Sequence, residues 1–290
     1  HRTVTAQIVA DAFGLAPADI RVEAALDTGR DAWSIAAGNY SSRFAGATAG
    51  AAHLAATRLR NRLAGIAAAR LNARPEDLVF AGGQIFAAAN PENALSFARV
   101  AAAGHWSAAE APEPAPLRET VFWSPAALAA PNAADEINSS AVHGFVFDFC
   151  GVAVDRETGA VSIDKYVSLH DAGRILNPAL FDGQVRGGFA MAVGAALYEQ
   201  SVYAEDGGCL SGSLLDYALA TAAMIPELKI VHRETPSPQT PLGAKGVAEG
   251  NAMSTPVCIA NAVADALGIA EIGLPLTPQR MLAMLRRRGR

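Results

Sequence analysis

The spacing of apolar and polar positions along the chain predicts a mixture of helices and strands. Val4, Ile8, Val9 and Ala12 share one helical face over 3–13, and Gly14 ends that helix. Over 19–25, Ile20, Val22 and Ala24 alternate with Arg21 and Glu23, the pattern of a half-buried strand. A polar, glycine-containing loop covers 27–42, and a long Ala-rich helix follows over 45–71. A hairpin over 78–87 turns at Gly82-Gly83, a favoured turn dipeptide. A short helix is expected over 95–103. Pro112, Pro114, Pro116, Pro125 and Pro131 then mark a linker or an extended arm.

The second half opens with strands over 144–154 and 161–169, joined by the turn Asp155-Arg156-Glu157-Thr158-Gly159. Asn177-Pro178 caps a helix that runs to about Tyr198. Further helices are expected over 214–224, 256–267 and 278–287, with a strand over 228–232 and a Pro- and Gly-rich loop over 234–250. The order helix, strand, glycine loop, helix thus occurs twice, at 3–71 and at 214–267. These patterns predict an α+β fold: two α/β lobes with duplicated helix–strand–loop–helix units, the first over 1–125 and the second over 126–290.

Composition narrows the function classes. Hydrophobic residues make up 51% of the 290 positions and charged residues only 18%, which excludes a disordered chain. No run of roughly 18 apolar residues occurs, so no membrane span is expected. The net charge is −5, and the only basic run is Arg286, Arg287, Arg288 and Arg290, which argues against nucleic-acid binding. Cys150, Cys209 and Cys258 are widely spaced and include no Cys-x-x-Cys pair, as expected of free thiols in a reducing, cytoplasmic setting. The chain opens at His1 without a methionine or a visible signal peptide, as expected of a fragment or a processed chain.

Three segments carry candidate chemistry. The run 243–250 places Gly243, Gly246 and Gly250 around Lys245 and Glu249. Its glycines let backbone approach a ligand and aim amides at an anion, and Lys245 adds a cation. Glu249 is a candidate general base if a tight pocket desolvates it, or else a carboxylate beside a helix start. The run lacks the Lys-Ser/Thr of a phosphate-binding loop. In the second segment, Gly187 and Gly188 cost roughly 1 kcal/mol each inside a helix, so packing or a ligand must offset them. Gln184 beside them can donate and accept hydrogen bonds. In the third, Gly38, Asn39, Tyr40, Ser41, Ser42 and Arg43 suit a phosphate at a helix N-terminus, or an ordinary capped start. The pair His170-Asp171 ends a strand. No Cys/His cluster has ligand spacing, so no protein-ligated metal is expected.

Together these runs resemble a family. Lys245-Gly246-Val247-Ala248-Glu249, His170-Asp171 with Gly173 and Asn177-Pro178, Gly183-Gln184-Val185 with Gly187-Gly188, and Gly38 to Arg43 are similar to the C-terminal half of the large subunit of molybdenum hydroxylases. That family includes xanthine dehydrogenase, aldehyde oxidoreductase and aerobic carbon monoxide dehydrogenase. The resemblance spans His1 to about Leu267. His1 looks like the end of the family's Gly-Gln-Gly-x-His or Gly-Gln-Gly-His segment.

The resemblance implies that Glu249 is the active-site base and that Gln184 lies near metal and pterin. It implies that Lys245, Val247, Asp171, Ala172 and residues Asn39, Tyr40, Ser41, Ser42 and Arg43, with His1, hold a molybdenum–molybdopterin cofactor in its cytosine dinucleotide form. The metal would be held by pterin sulfurs. The implied reaction hydroxylates an aldehyde or an aromatic N-heterocycle with water as oxygen source. The implied partners are the N-terminal half of the large subunit, a subunit carrying FAD and a subunit carrying two-iron two-sulfur clusters, assembled as a dimer of heterotrimers. Ala248 departs from the glycine that many relatives carry there. Two other classes remain open on the residues alone: a non-catalytic nucleotide- or phosphate-binding module, and an interaction subunit whose Ala-rich faces pack on partners.

Overall fold

The structure, a computed structural model, describes residues 1–29, 42–107, 116–126, 128–138, 140 and 142–288. The chain divides into two compact units. One comprises His1–Val142 with Ser237–Ala244, and the other His143–Pro236 with Lys245–Arg290.

In the first unit, helix α1 (Arg2–Phe13) packs against helix α2 (Ala49–Leu71), which is entered through a π-turn over Phe44–Thr48. Gly14 ends α1 at φ 62, where a Cβ would stand 2.3 Å from the Phe80 carbonyl oxygen. Only glycine combines that backbone with that contact. Strands β1 (Leu78–Ala81), β2 (Gln84–Ala87) and β3 (Asn90–Ser96) form an antiparallel sheet, with the expected hairpin at Gly82-Gly83. Ser96 caps helix α3 (Phe97–Trp106) by accepting a hydrogen bond from the Arg99 amide at 3.2 Å. Phe13, Leu63, Ile66, Ile85 and Val100 form the core.

In the second unit, β4 (Phe145–Val154) pairs antiparallel with β5 (Val161–Asp171) over its full length. Strand β6 (Leu228–Arg233) runs parallel to β5, and helix α4 (Pro178–Leu197) makes the crossover between them. Asn177 caps α4 through the Leu180 amide at 2.9 Å. Helix α5 (Gly250–Leu267) packs on both α4 and β4, and helix α6 (Pro278–Arg288) closes the chain. Tyr166, Val185, Phe189, Val193, Ile259 and Val263 fill this core.

The α+β class holds, with two separate three-stranded sheets among the described residues. Three elements differ from the sequence pattern. The strand expected over 19–25 does not form: Asp19 ends a 3₁₀ turn, and no described strand lies alongside the rest to take its backbone hydrogen bonds. Within 214–224 only a 3₁₀ turn, Ala222–Met224, is helical. Leu215 there is 93% exposed, so no core receives the apolar face a helix would present. Ser213 also bonds Asp216 and the Leu215 amide, competing with helical bonding. The order helix, strand, loop, helix is therefore not repeated among these residues. Finally, α5 starts six residues before 256 and carries Pro256 inside it. Contacts of Gly250, Asn251, Ser254 and Thr255 extend the helix back past the proline.

Candidate functional site

The candidate residues of the second unit gather where β5 ends and α5 begins. Asp171, the last residue of β5, is 7% exposed. Its Oδ1 accepts the Gly173 amide at 2.9 Å and the Thr235 amide at 3.2 Å, and its Oδ2 accepts the Thr235 hydroxyl. The Lys245 ammonium lies 3.4 Å from Asp171 Oδ1 and donates to Thr235 Oγ1 at 2.9 Å. Burial works to raise the Asp171 carboxyl pKa, but the Thr235 and Gly173 hydrogen bonds and the Lys245 charge together hold it below the ordinary value. The Lys245 amide donates to the buried Ala172 carbonyl at 2.8 Å. Lys245 thus fastens the glycine loop to the end of β5 with both backbone and side chain. Gly144 lets the start of β4 press on that loop, since a Cβ there would stand 2.5 Å from the Gly246 carbonyl oxygen.

Val247 packs on the core of the unit, and its carbonyl accepts the Gly250 amide at 3.2 Å. Glu249 follows as the residue preceding α5, at φ −98 and ψ 2, in the sparsely populated bridge region. Its side chain is exposed and does not cap the helix. The tight pocket expected around Glu249 is thus not formed by this chain's described residues.

Gln184 is exposed on α4, flanked by Gly183 and Gly187, where an added Cβ would meet nothing within 4 Å. Those two glycines are therefore not explained by packing among the described residues. Gly188 is: a Cβ there would lie 3.1 Å from the Ala248 carbonyl oxygen and 3.7 Å from Asn251 Cβ. Gly188 lies one helical turn beyond Gln184 on the same side of α4. The structure thus brings Gln184 to the same end of the unit as Glu249.

Behind this surface lies a polar network that the sequence patterns did not mark. Asp148, on β4, accepts four hydroxyls: Ser168 at 2.5 Å, Ser254 at 2.6 Å, Tyr166 at 2.8 Å and Thr255 at 3.3 Å. Ser168 also lies 2.9 Å from His170 Nε2 and accepts Asn251 Nδ2 at 3.0 Å. Its one proton goes to Asp148, so His170 must donate from Nε2, which assigns the tautomer. Burial pushes the His170 pKa down, against the opposing pull of the Asp148 charge. Asn251 is 1% exposed, and its Oδ1 is buried with no hydrogen-bond partner. No sequence signal marked Asp148, because alternation alone does not say which phase of β4 is buried.

The first unit holds the other candidates. The His1 ring stacks on Phe44, with centroids 4.6 Å apart and planes 7° from parallel. Ser42 adopts φ 51, and Arg43 precedes the π-turn. Gly46 and Gly50 of this helix start lie against Thr240 and Pro241 of the loop 237–244. Asn39, Tyr40 and Ser41 lie outside the described residues. Among the described residues, no three or more His, Cys, Asp or Glu side chains group as metal ligands, and no helix is long and apolar enough to cross a membrane.

Comparison with known proteins adds to this geometry. The family model of the molybdopterin cofactor-binding domain matches residues 1–226. The nicotine 6-hydroxylase large subunit of Paenarthrobacter nicotinovorans is 33% identical over 97% of this chain and 33% of its own length. The carbon monoxide dehydrogenase large chain of Hydrogenophaga pseudoflava is 30% identical over 99% of this chain and 34% of its own length. Among solved structures, quinoline 2-oxidoreductase from Pseudomonas putida 86 superposes with a TM-score of 0.83 at 30% identity, over 99% of this chain and 35% of that one. The chain spans about a third of the length of the relatives it matches.

Proposed function

We propose, from the premise that this chain belongs to the molybdopterin cofactor-binding domain family of the molybdenum hydroxylases, that it supplies the base and cofactor contacts of a hydroxylase acting on an aromatic N-heterocycle or an aldehyde. The observation that carries this reading is the convergence of Gln184 with the α5 N-terminus. Gln184 stands beside two glycines that open on free space, at the end of the unit where Glu249 precedes a helix without a side-chain cap. The positive end of that helix fits an anionic cofactor.

In this reading Gln184, Val247, Asp171 and Ala172 hold the cofactor, together with His1 and residues 39–43. Lys245 acts through the loop it fastens. The cofactor is molybdenum–molybdopterin as the cytosine dinucleotide, and when bound it supplies the acceptor for the electron pair leaving the substrate carbon. Glu249 takes up, at a carboxylate oxygen, the proton released as water becomes the product's new oxygen. Lobes 1–125 and 126–290 form the cofactor-binding domain, the second carrying the Glu249 loop. The remainder of the large subunit encloses Glu249. FAD and iron–sulfur subunits carry electrons away within a cytoplasmic dimer of heterotrimers.

The test is Glu249→Gln in the full-length protein with its partner subunits. The amide keeps the side chain's size but cannot accept the proton. Turnover is expected to fall by about 10²–10⁴-fold, with molybdenum content unchanged. Turnover above about a tenth of wild type, below the least such a base contributes, removes Glu249 from the role.

A further inference from the structure

Helix α5 lies along β4 in a regular register. Gly250 sits against Val146, whose Cγ2 would be 2.5 Å from a Cβ at 250. One turn on, Ser254 donates to Asp148 at 2.6 Å. Each step is four residues of helix, about 6 Å, against two residues of strand, about 6.6 Å, so the two elements stay in phase. The next step faces Cys258 with Cys150. Both thiols are free and half-buried, and both pack on the core that holds Tyr166. The two thiols lie within hydrogen-bonding reach of each other, and Cys150 Sγ also faces the Gly151 carbonyl at 3.9 Å.

We propose that Cys150 and Cys258 are a redox pair that closes to a reversible disulfide between β4 and α5 when the protein meets a peroxide. The two thiols are not equivalent. The Cys150 hydrogen bond lowers the Cys258 pKa; burial and the Asp148 charge oppose it, the Tyr166 hydroxyl adds to it, and the net shift is downward. The Cys150 thiol is pushed up, first by that same hydrogen bond and then by burial. Cys258 is therefore the attacking sulfur. Its thiolate takes one oxygen of hydrogen peroxide, breaking the O–O bond and releasing hydroxide, and becomes a sulfenic acid. The Cys150 sulfur then attacks the Cys258 sulfur. The S–O bond breaks, and the sulfenic oxygen leaves as water with the Cys150 proton. Two thiol hydrogens and two electrons have passed to peroxide. The bond ties β4 to the helix whose first turn follows Glu249. Cys209, exposed in the turn beside Ser211, has no such neighbour thiol and serves as an internal control.

The experiment treats the full-length protein with hydrogen peroxide, blocks remaining thiols with N-ethylmaleimide and maps peptides without reductant. The expected product is a Cys150–Cys258 cross-linked peptide, two hydrogens lighter than its parts and lost on adding dithiothreitol. In Cys150→Ser, dimedone is expected to trap a sulfenic acid at Cys258; in Cys258→Ser, Cys150 is expected to stay a thiol. If either variant fails to fold, the wild-type map decides alone. The proposal is overturned if both cysteines remain alkylatable once Cys209 is oxidised, or if Cys150 oxidises in Cys258→Ser.

Discussion

Asp148 is the residue on which the polar interior of the second unit converges, accepting hydroxyl hydrogen bonds from β5 and α5 at once. Asp148→Asn keeps the shape but replaces one acceptor oxygen with a donor facing other donors. It should cost about 1–3 kcal/mol in urea denaturation, with loss under about 0.5 kcal/mol contradicting the network. His170 sets a pH dependence. Its folded pKa lies below the ordinary value, so between that value, about 6.5, and the folded one the unfolded chain binds more protons. Stability due to this burial is present above about pH 6.5 and is lost as pH falls through the folded pKa. Denaturation midpoints at pH 8, 7, 6 and 5 should fall for the wild type and fall less for His170→Gln; parallel curves would refute the assignment. Asp171, held below the ordinary carboxylate value, adds a second loss only as pH drops below about 4. Glu249 and Gln184 stood out as candidates because glycines flank them. Asp148 and Asn251 did not, because each is a single polar residue whose partners lie up to 107 positions away.

Among the elements, β4 shows what alternation can and cannot reveal. Its phenylalanines, Phe145, Phe147 and Phe149, face outward and are exposed, while Asp148 and Cys150 point to the helices. Period two identifies the strand, but which phase is buried is decided by α5, whose small and hydroxyl residues fit Asp148 and Cys150. Phe149→Ala, at a side chain 66% exposed, should therefore cost less than about 1 kcal/mol in this chain, whereas Phe189→Ala, at 1% exposed, should cost about 3–5 kcal/mol. Equal losses in denaturant titration would contradict the assigned faces. Helices with tertiary partners on their apolar side, α1, α2 and α4, were legible to within a few residues. The stretch 214–224 reads as a helix yet its Leu215 meets no core, and 19–25 alternates yet meets no described partner strand. In both, local pattern lacked the long-range contact that turns it into an element.

At the scale of the whole chain, family membership and α+β class were legible from motif order, because the motifs are loops and caps whose glycines and polar residues survive without their surroundings. The exposure of Glu249 was not, since burial is a property of the assembled protein and this chain spans about a third of its relatives. The central claim is that these residues hold a molybdenum–pterin cofactor. The most direct measurement is the molybdenum and pterin-nucleotide content of the full-length protein purified from molybdate-supplied cells, for the wild type and for Gln184→Ala. The account predicts stoichiometric molybdenum with a cytosine nucleotide released on acid hydrolysis of the wild type, and a clear loss of molybdenum in Gln184→Ala. An active wild-type protein without molybdenum or pterin, or a Gln184→Ala variant with full content and unchanged metal spectra, would contradict it.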